Sequence, residues 1–391
     1  MQDLVRSLSL LAAFGSAAAC ATPTLDVQLT DRDKPREHTV FRVDWRAKVA
    51  PSKESLPPFN VEQTRWEPIE ISSPTVAQIK GCEGCAPEVV VGGSDGVLSA
   101  FDSLGKTLWT FKAAGAFASP AAIDGVIYVG SADGKLYAIS AGDGSLLWSY
   151  VCNEELGAPP VVKDGLVFVQ SRSNMIFAIE AATGKWRWQY RRDSTAREFT
   201  VRGLSGPTLV GDLLVAGFSD GASVALKRTD GALVWQHVTP PSTDLEDSAG
   251  SPQTDGTRVF VANFRAGLSA LSADDGHILW QKAFPTATGL RLSKGVLFAS
   301  AVGKVAAFSA FDGTLLWQRN TGVMTATGIS GFPGVVMFST DGPLLFLDVR
   351  TGRELGRQFN PGRGIAAVPT VSGRDLYVLS NNGWLYGMHL F

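Results

Sequence analysis

The chain of 391 residues has little of what metal and acid–base sites are built from: 4 histidines and 4 cysteines. His38, His237, His277 and His389 share no spacing that would set two of them on one strand face or one helical turn. No phosphate-cradling glycine loop, dinucleotide fingerprint or nucleophile elbow occurs. Asp-Gly pairs recur, but the flanking oxygen ligands of a calcium-binding loop are missing, so they read as turns. Charge is nearly balanced, 35 Lys+Arg against 37 Asp+Glu, which argues against a nucleic-acid partner. So few cysteines in so long a chain exclude a disulfide-dense scaffold. After the first twenty residues no apolar run is long enough to span a bilayer.

Glycine and tryptophan are abundant instead, 42 and 10 residues, and they are periodic. A Gly followed four residues later by Trp occurs at Gly105/Trp109, Gly144/Trp148, Gly184/Trp188, Gly231/Trp235, Gly276/Trp280 and Gly313/Trp317. In a seventh copy Gly356 stands where the Trp would be. Successive Trp positions lie 39, 40, 47, 45 and 37 residues apart, a period that marks a repeat architecture. Within a unit, apolar runs of about five residues alternate with Asp-Gly and Gly-containing turns, the signature of antiparallel hairpins. Four short strands per unit make a propeller blade.

The second and third strands recur eight times, beginning near Val89, Ile127, Leu166, Leu213, Val259, Val296, Val335 and Leu376. The last copy ends at Phe391 without a Trp strand. The missing strand is supplied by Phe41-Arg-Val-Asp-Trp45, so residues 39–49 close the final blade and remove two exposed edges. The fold class is therefore all-β, an eight-bladed propeller of four-stranded antiparallel blades over 39–391. A small Ala on the third strand leaves room for a neighbouring indole, which makes the Trp set scaffold.

The N-terminus reads as an address. Arg6, the apolar run from Leu8 and the small residues Ser16 to Ala19 form an export signal over 1–19. Cys20 follows at once, in an arrangement that resembles a bacterial lipobox; an ordinary A-x-A cleavage site at Ala17–Ala19 is the alternative. Residues 20–38, polar and aperiodic, suit a lipid-anchored flexible tether.

Cys82-Glu-Gly-Cys85 is the one local motif with a reactive reading, in an insertion from Gly81 to Glu88 inside blade 1. A local disulfide is the default in an exported protein; a redox-active pair lacks a thioredoxin context and a zinc site lacks ligands. Cys152 is left as a buried free thiol on an outer strand.

The stretch Ala138-Ile-Ser-Ala-Gly-Asp-Gly-Ser-Leu-Leu-Trp148 and its counterparts ending at Trp188, Trp235, Trp280 and Trp317 resemble the pyrroloquinoline-quinone-like repeat. The whole pattern, from signal and Cys20 to eight blades and nothing more, resembles the BamB family, lipoprotein scaffolds of the β-barrel assembly machinery. That resemblance implies a non-catalytic, cofactor-free protein. It also implies a lipid anchor at the periplasmic face of the outer membrane, with BamA-like insertase domains and nascent outer-membrane proteins as partners. Two repeats are long, and their excess lies in the connections 189–206 and 238–251, which flank one blade. The resemblance places partner contacts there, on Phe199, Val201, Arg202 and Asp247; a second acidic position of the family is Ala249 here. An ion pair between Arg202 and Asp247 is an equal reading of those two residues. The cluster Arg187, Arg191, Arg192, Arg197 and Arg202 reads as a solvated basic face. The competing functions are a periplasmic quinone-dependent dehydrogenase, whose known members are longer and carry large insertions around a quinone and calcium, and a ligand-sensing propeller.

Overall fold

A strand of five residues alternating inward and outward cannot bury both faces alone, so each repeat folds into a small sheet that its neighbours cover. The computed structural model describes residues 40–50, 72–82, 84–192, 205–238, 248, 250–323, 326–356 and 358–391. Blade 1 is built from Thr75–Ala77, Glu88–Gly92, Val97–Phe101 and Thr107–Lys112, paired antiparallel in that order from inside to outside. Blades 2 to 6 repeat the plan over 121–151, 161–191, 208–237, 253–282 and 287–320.

Blade 8 is assembled from both ends of the propeller. Its sheet runs Thr370–Ser372, Asp375–Leu379, Trp384–Leu390 and then Phe41–Lys48, with Phe41 opposite Leu390 and Lys48 opposite Trp384. The ring closes between blades 8 and 1: the Val368 amide donates to Ser73 Oγ at 2.9 Å. Val89, Val91 and Phe101 share one buried cluster with Tyr377, Leu379 and Leu385.

Blade 7 departs from the plan. Its sheet has three continuous strands, Ala326–Phe332, Val335–Thr340 and Leu345–Asp348, and the fourth position is held by two isolated bridges, Leu347 with Glu354 and Leu344 with Phe359. This is the unit whose Trp is replaced by Gly356. An aromatic group fills the gap: Phe41 stacks on Phe346 at 5.0 Å, and Phe359 meets the edge of Tyr386 at 4.9 Å.

The tryptophans join blade to blade. In register, each faces the Ala of its own third strand, as with Ala100 and Trp109 or Ala225 and Trp235. The expected neighbouring indole is thus the blade's own, and what the next blade supplies is a glycine and a carbonyl. Trp109 Nε1 donates to the Ala141 carbonyl at 2.7 Å and Trp235 Nε1 to that of Ala273 at 2.8 Å. A Cβ on Gly144 or Gly276 would fall 2.5 Å from the indole Cε3. In blade 8 the Ala position is Gly387, where any Cβ would collide with Trp45, and Trp45 Nε1 reaches the Ser103 carbonyl of blade 1 at 2.9 Å. Each indole buries a large apolar area while its one donor is satisfied.

A candidate docking face beside blade 4

The outer strand of one blade and the inner strand of the next are joined on one face of the ring, and on the same face lie the hairpins between second and third strands. The two long connections therefore rise from this face on either side of blade 4. Phe199, Val201, Arg202 and Asp247 lie outside the described residues, as does Cys20; the roots of both loops are described.

The first loop leaves blade 3 after Trp186–Arg191. At its root Arg192 Nε donates to Asp220 Oδ2 at 2.7 Å and an Nη of the same guanidinium to Gln236 Oε1 at 3.3 Å. The Arg192 and Asp220 side chains are only 12% and 16% exposed, and the guanidinium lies 5.8 Å from the Phe218 ring centre. Arg192 is thus a tie between blades rather than part of a solvated basic face. Arg187, on the exposed outer strand, pairs with Glu180 at the end of the third strand.

The loop returns at Ser205, whose Oγ donates to the Gly250 carbonyl at 2.9 Å, and the Gly206 amide donates to Ser251 Oγ at 2.9 Å. Both acceptors belong to the end of the second loop. Ser248, from the same end, donates its amide to the Phe218 carbonyl and bridges Asn263. Its side chain sits where a Cβ on Gly217 would be, so this glycine is required by close approach. Gln170 of blade 3 donates to the Gly217 carbonyl at 2.8 Å, and Asn174 to Ser219 Oγ at 2.8 Å. The roots of both loops therefore converge on one hairpin, 217–221 of blade 4. Loop spacing in the sequence predicts a shared blade; the tie itself pairs residues 28 positions apart and carries no local signal. His237, on the outer strand below the second loop, is held below its ordinary pKa by burial, which disfavours the charged imidazolium.

Cys82 and Cys85 lie on the opposite face and are joined by a disulfide. Glu88 is the first residue of the second strand, so the insertion is 78–87 rather than Gly81 to Glu88. Glu88 is buried and accepts from Trp109 Nε1 at 3.1 Å, and loss of hydration raises its carboxyl above the usual range. Cys152 is free and buried, one residue past its strand, with its thiol pushed up to about 12. Among the described residues no three His, Cys, Asp or Glu side chains are grouped to hold a metal ion.

Fold and repeat together define a propeller of the pyrroloquinoline-quinone-like class. The chain belongs to the outer membrane protein assembly factor BamB family, whose model matches residues 94–303 and 301–389. The outer membrane protein assembly factor BamB of Burkholderia pseudomallei is 28% identical over 400 residues, covering 97% of this chain and 99% of that one. That of Legionella pneumophila is 28% identical over 203 residues, 49% of this chain; the matched part spans about half, 52%, of the relative. Among solved structures, BamB from Moraxella catarrhalis superposes with a TM-score of 0.66 at 21% identity, over 81% of this chain and 94% of that one. A quinohemoprotein alcohol dehydrogenase from Pseudomonas putida superposes with a TM-score of 0.71 at 14% identity, over 92% and 78%. At such identities the superpositions speak for the fold alone.

Proposed function

We propose that the protein is a non-catalytic scaffold of outer-membrane β-barrel assembly, docked on the periplasmic domains of a BamA-like insertase and assisting nascent outer-membrane proteins. In this reading residues 1–19 are removed on export, Cys20 carries the lipid, 20–38 tether it to the periplasmic face of the outer membrane, and 39–391 form the working ring. Phe199, Val201 and Arg202 on one loop and Asp247 on the other make the partner contacts. The observation that carries the reading is the convergence of both loop roots on hairpin 217–221. A rigid base presenting two adjacent loops holds down the ordering cost of binding, and an arginine among apolar anchors suits the centre of a protein interface.

Co-purification with the insertase from detergent-extracted envelopes tests it. Arg202→Glu and Val201→Asp abolish capture if the loops dock, and undiminished capture by both variants rejects the assignment. The dehydrogenase shares the fold, so the same protein is also assayed with quinone, calcium and an artificial dye acceptor on alcohols and sugars. Turnover there replaces the scaffold reading.

A further inference from the structure

The Cys82–Cys85 loop lies on the face away from the proposed docking loops and is not used by them. It is not a free appendage. The first and second strands of blade 1 pair with Ala77 opposite Glu88, so ten residues, 78–87, separate them. In blades 2 and 3 the same connection is a two-residue turn, Asp124-Gly125 and Asp164-Gly165. The extra chain folds onto blade 2. Lys80 lies against Gly125 so closely that a Cβ on that glycine would fall 2.5 Å from Lys80 Cβ and 2.9 Å from its backbone nitrogen. Ile79 rests on Gly142 more loosely, its Cγ2 3.4 Å from where a Cβ would stand. The Cys82 amide closes the turn on the Ile79 carbonyl at 3.4 Å.

The strand that leaves this loop opens with Glu88, which accepts from the indole of Trp109 at 3.1 Å. That indole donates at the same time to Ala141 of blade 2. Blades 1 and 2 are therefore joined twice at one end, by the Trp109 latch and by the loop resting on two glycine turns. The bond between Cys82 and Cys85 fixes the shape of the second joint. Cys82 is solvent-exposed and Cys85 half-buried, so Cys82 is the side from which a nucleophile approaches the pair. Cys152 is buried and its thiol is held protonated by loss of hydration, which keeps it out of exchange with this pair.

We propose that Cys82–Cys85 is a site of thiol–disulfide exchange with a dithiol, and that its bond clasps the blade 1 loop onto blade 2. A thiolate of the dithiol attacks Cys82 Sγ, forming a mixed disulfide and releasing Cys85 as a thiolate that takes up a proton. The second thiol of the reagent then attacks its own sulfur in the mixed disulfide and frees Cys82. The dithiol is oxidised to a disulfide, and the two electrons and two protons it gives up end on Cys82 and Cys85. The loop, no longer closed, loosens from Gly125 and Gly142, while blades 4 to 6 are unaffected.

The test uses the full chain in its native state with dithiothreitol as the dithiol. After a graded series of dithiothreitol concentrations, free thiols are trapped by alkylation and located by mass spectrometry, and amide hydrogen exchange is read on the same samples. The expected result is alkylation of Cys82 and Cys85 in the folded protein with Cys152 unlabelled. Exchange at the turns around Gly125 and Gly142 is expected to quicken at least several-fold, with blades 4 to 6 unchanged. Cys82→Ser/Cys85→Ser should show the same fast exchange without reductant and no response to it. Labelling of Cys82 and Cys85 only together with Cys152, on unfolding, overturns the exchange site. Reduction that leaves exchange in blade 2 unchanged overturns the clasp. Both readouts come from the wild-type chain, so failure of the serine variant to fold leaves the test intact.

Discussion

Trp109 of blade 1 covers Gly144 of blade 2, whose φ of 71° already excludes most side chains, and its indole N–H ends on the Ala141 carbonyl 2.7 Å away. The same relation recurs in seven of the eight blade junctions, from Trp45 with Gly105 to Trp317 with Gly352. Gly144→Ala is therefore expected to cost more than a left-handed backbone alone. Gly165 has φ 75° with nothing within 4 Å of a would-be Cβ, so Gly165→Ala loses only about 1–2 kcal/mol. Gly144→Ala must also displace the indole, and about 2–4 kcal/mol is expected. Urea unfolding of the two variants measures the difference, and equal losses would contradict the latch.

The junction from blade 7 to blade 8 lacks the outer-strand tryptophan latch and relies on Phe41, Phe346, Phe359 and Tyr386, with Trp384 packed against the same cluster. Phe359→Ala is expected to destabilise the ring by about 1–3 kcal/mol, less than a core aromatic because Phe359 is only partly buried. The effect should appear first as faster amide exchange in strand Phe41–Lys48, which only side-by-side pairing with Trp384–Leu390 holds to the sheet. Protection of that strand unchanged in the variant would show that the aromatic group does not secure the closure.

Arg192 and Asp220 form a largely buried pair at the root of the first loop. Removing one partner strands the other, at about 3 kcal/mol for such a pair. Arg192→Ala and Asp220→Ala should each destabilise, and the double variant should cost less than their sum. Thermal unfolding of the four proteins in a double-mutant cycle gives the coupling, and strict additivity would remove the tie from the account.

Glu88 gives a pH dependence whose sign follows from burial. Its folded-state pKa is raised above the ordinary 4.5 by loss of hydration, with the Trp109 hydrogen bond opposing. The stability it contributes is full below the ordinary glutamate range and is lost as pH rises through the raised folded value. Glu88→Gln, which keeps an acceptor for the indole, should raise Tm at pH 7 and converge with the parent below about pH 4. A Tm difference that is the same at pH 4 and pH 7 would contradict it.

The blades were legible because the physics that makes them is local and periodic. Gly–Trp spacing, Asp-Gly turns and runs such as Val126–Gly130 put all eight second strands within a residue of their observed starts. Trp45 could be assigned to blade 8 because a strand without partners and a blade without a strand imply each other. In blade 7 the fourth position is occupied, but only through the bridges of Leu347 with Glu354 and Leu344 with Phe359; loss of one Trp in the sequence does not announce that break in the ladder. The roots of the docking loops were legible only as a location. Arg192 with Asp220, Ser205 with Gly250 and Ser248 with Phe218 pair residues brought together by ring closure, and nothing in the neighbourhood of any one of them announces its partner.

The docking face is tested most directly by site-specific photo-crosslinking in intact envelopes, with the crosslinker at Val201 on the first long loop and at Leu104 on the opposite face, where the side chain is 79% exposed. An adduct with the periplasmic domains of the β-barrel insertase is expected from position 201 and none from position 104. An insertase adduct from 104 with none from 201 would contradict it.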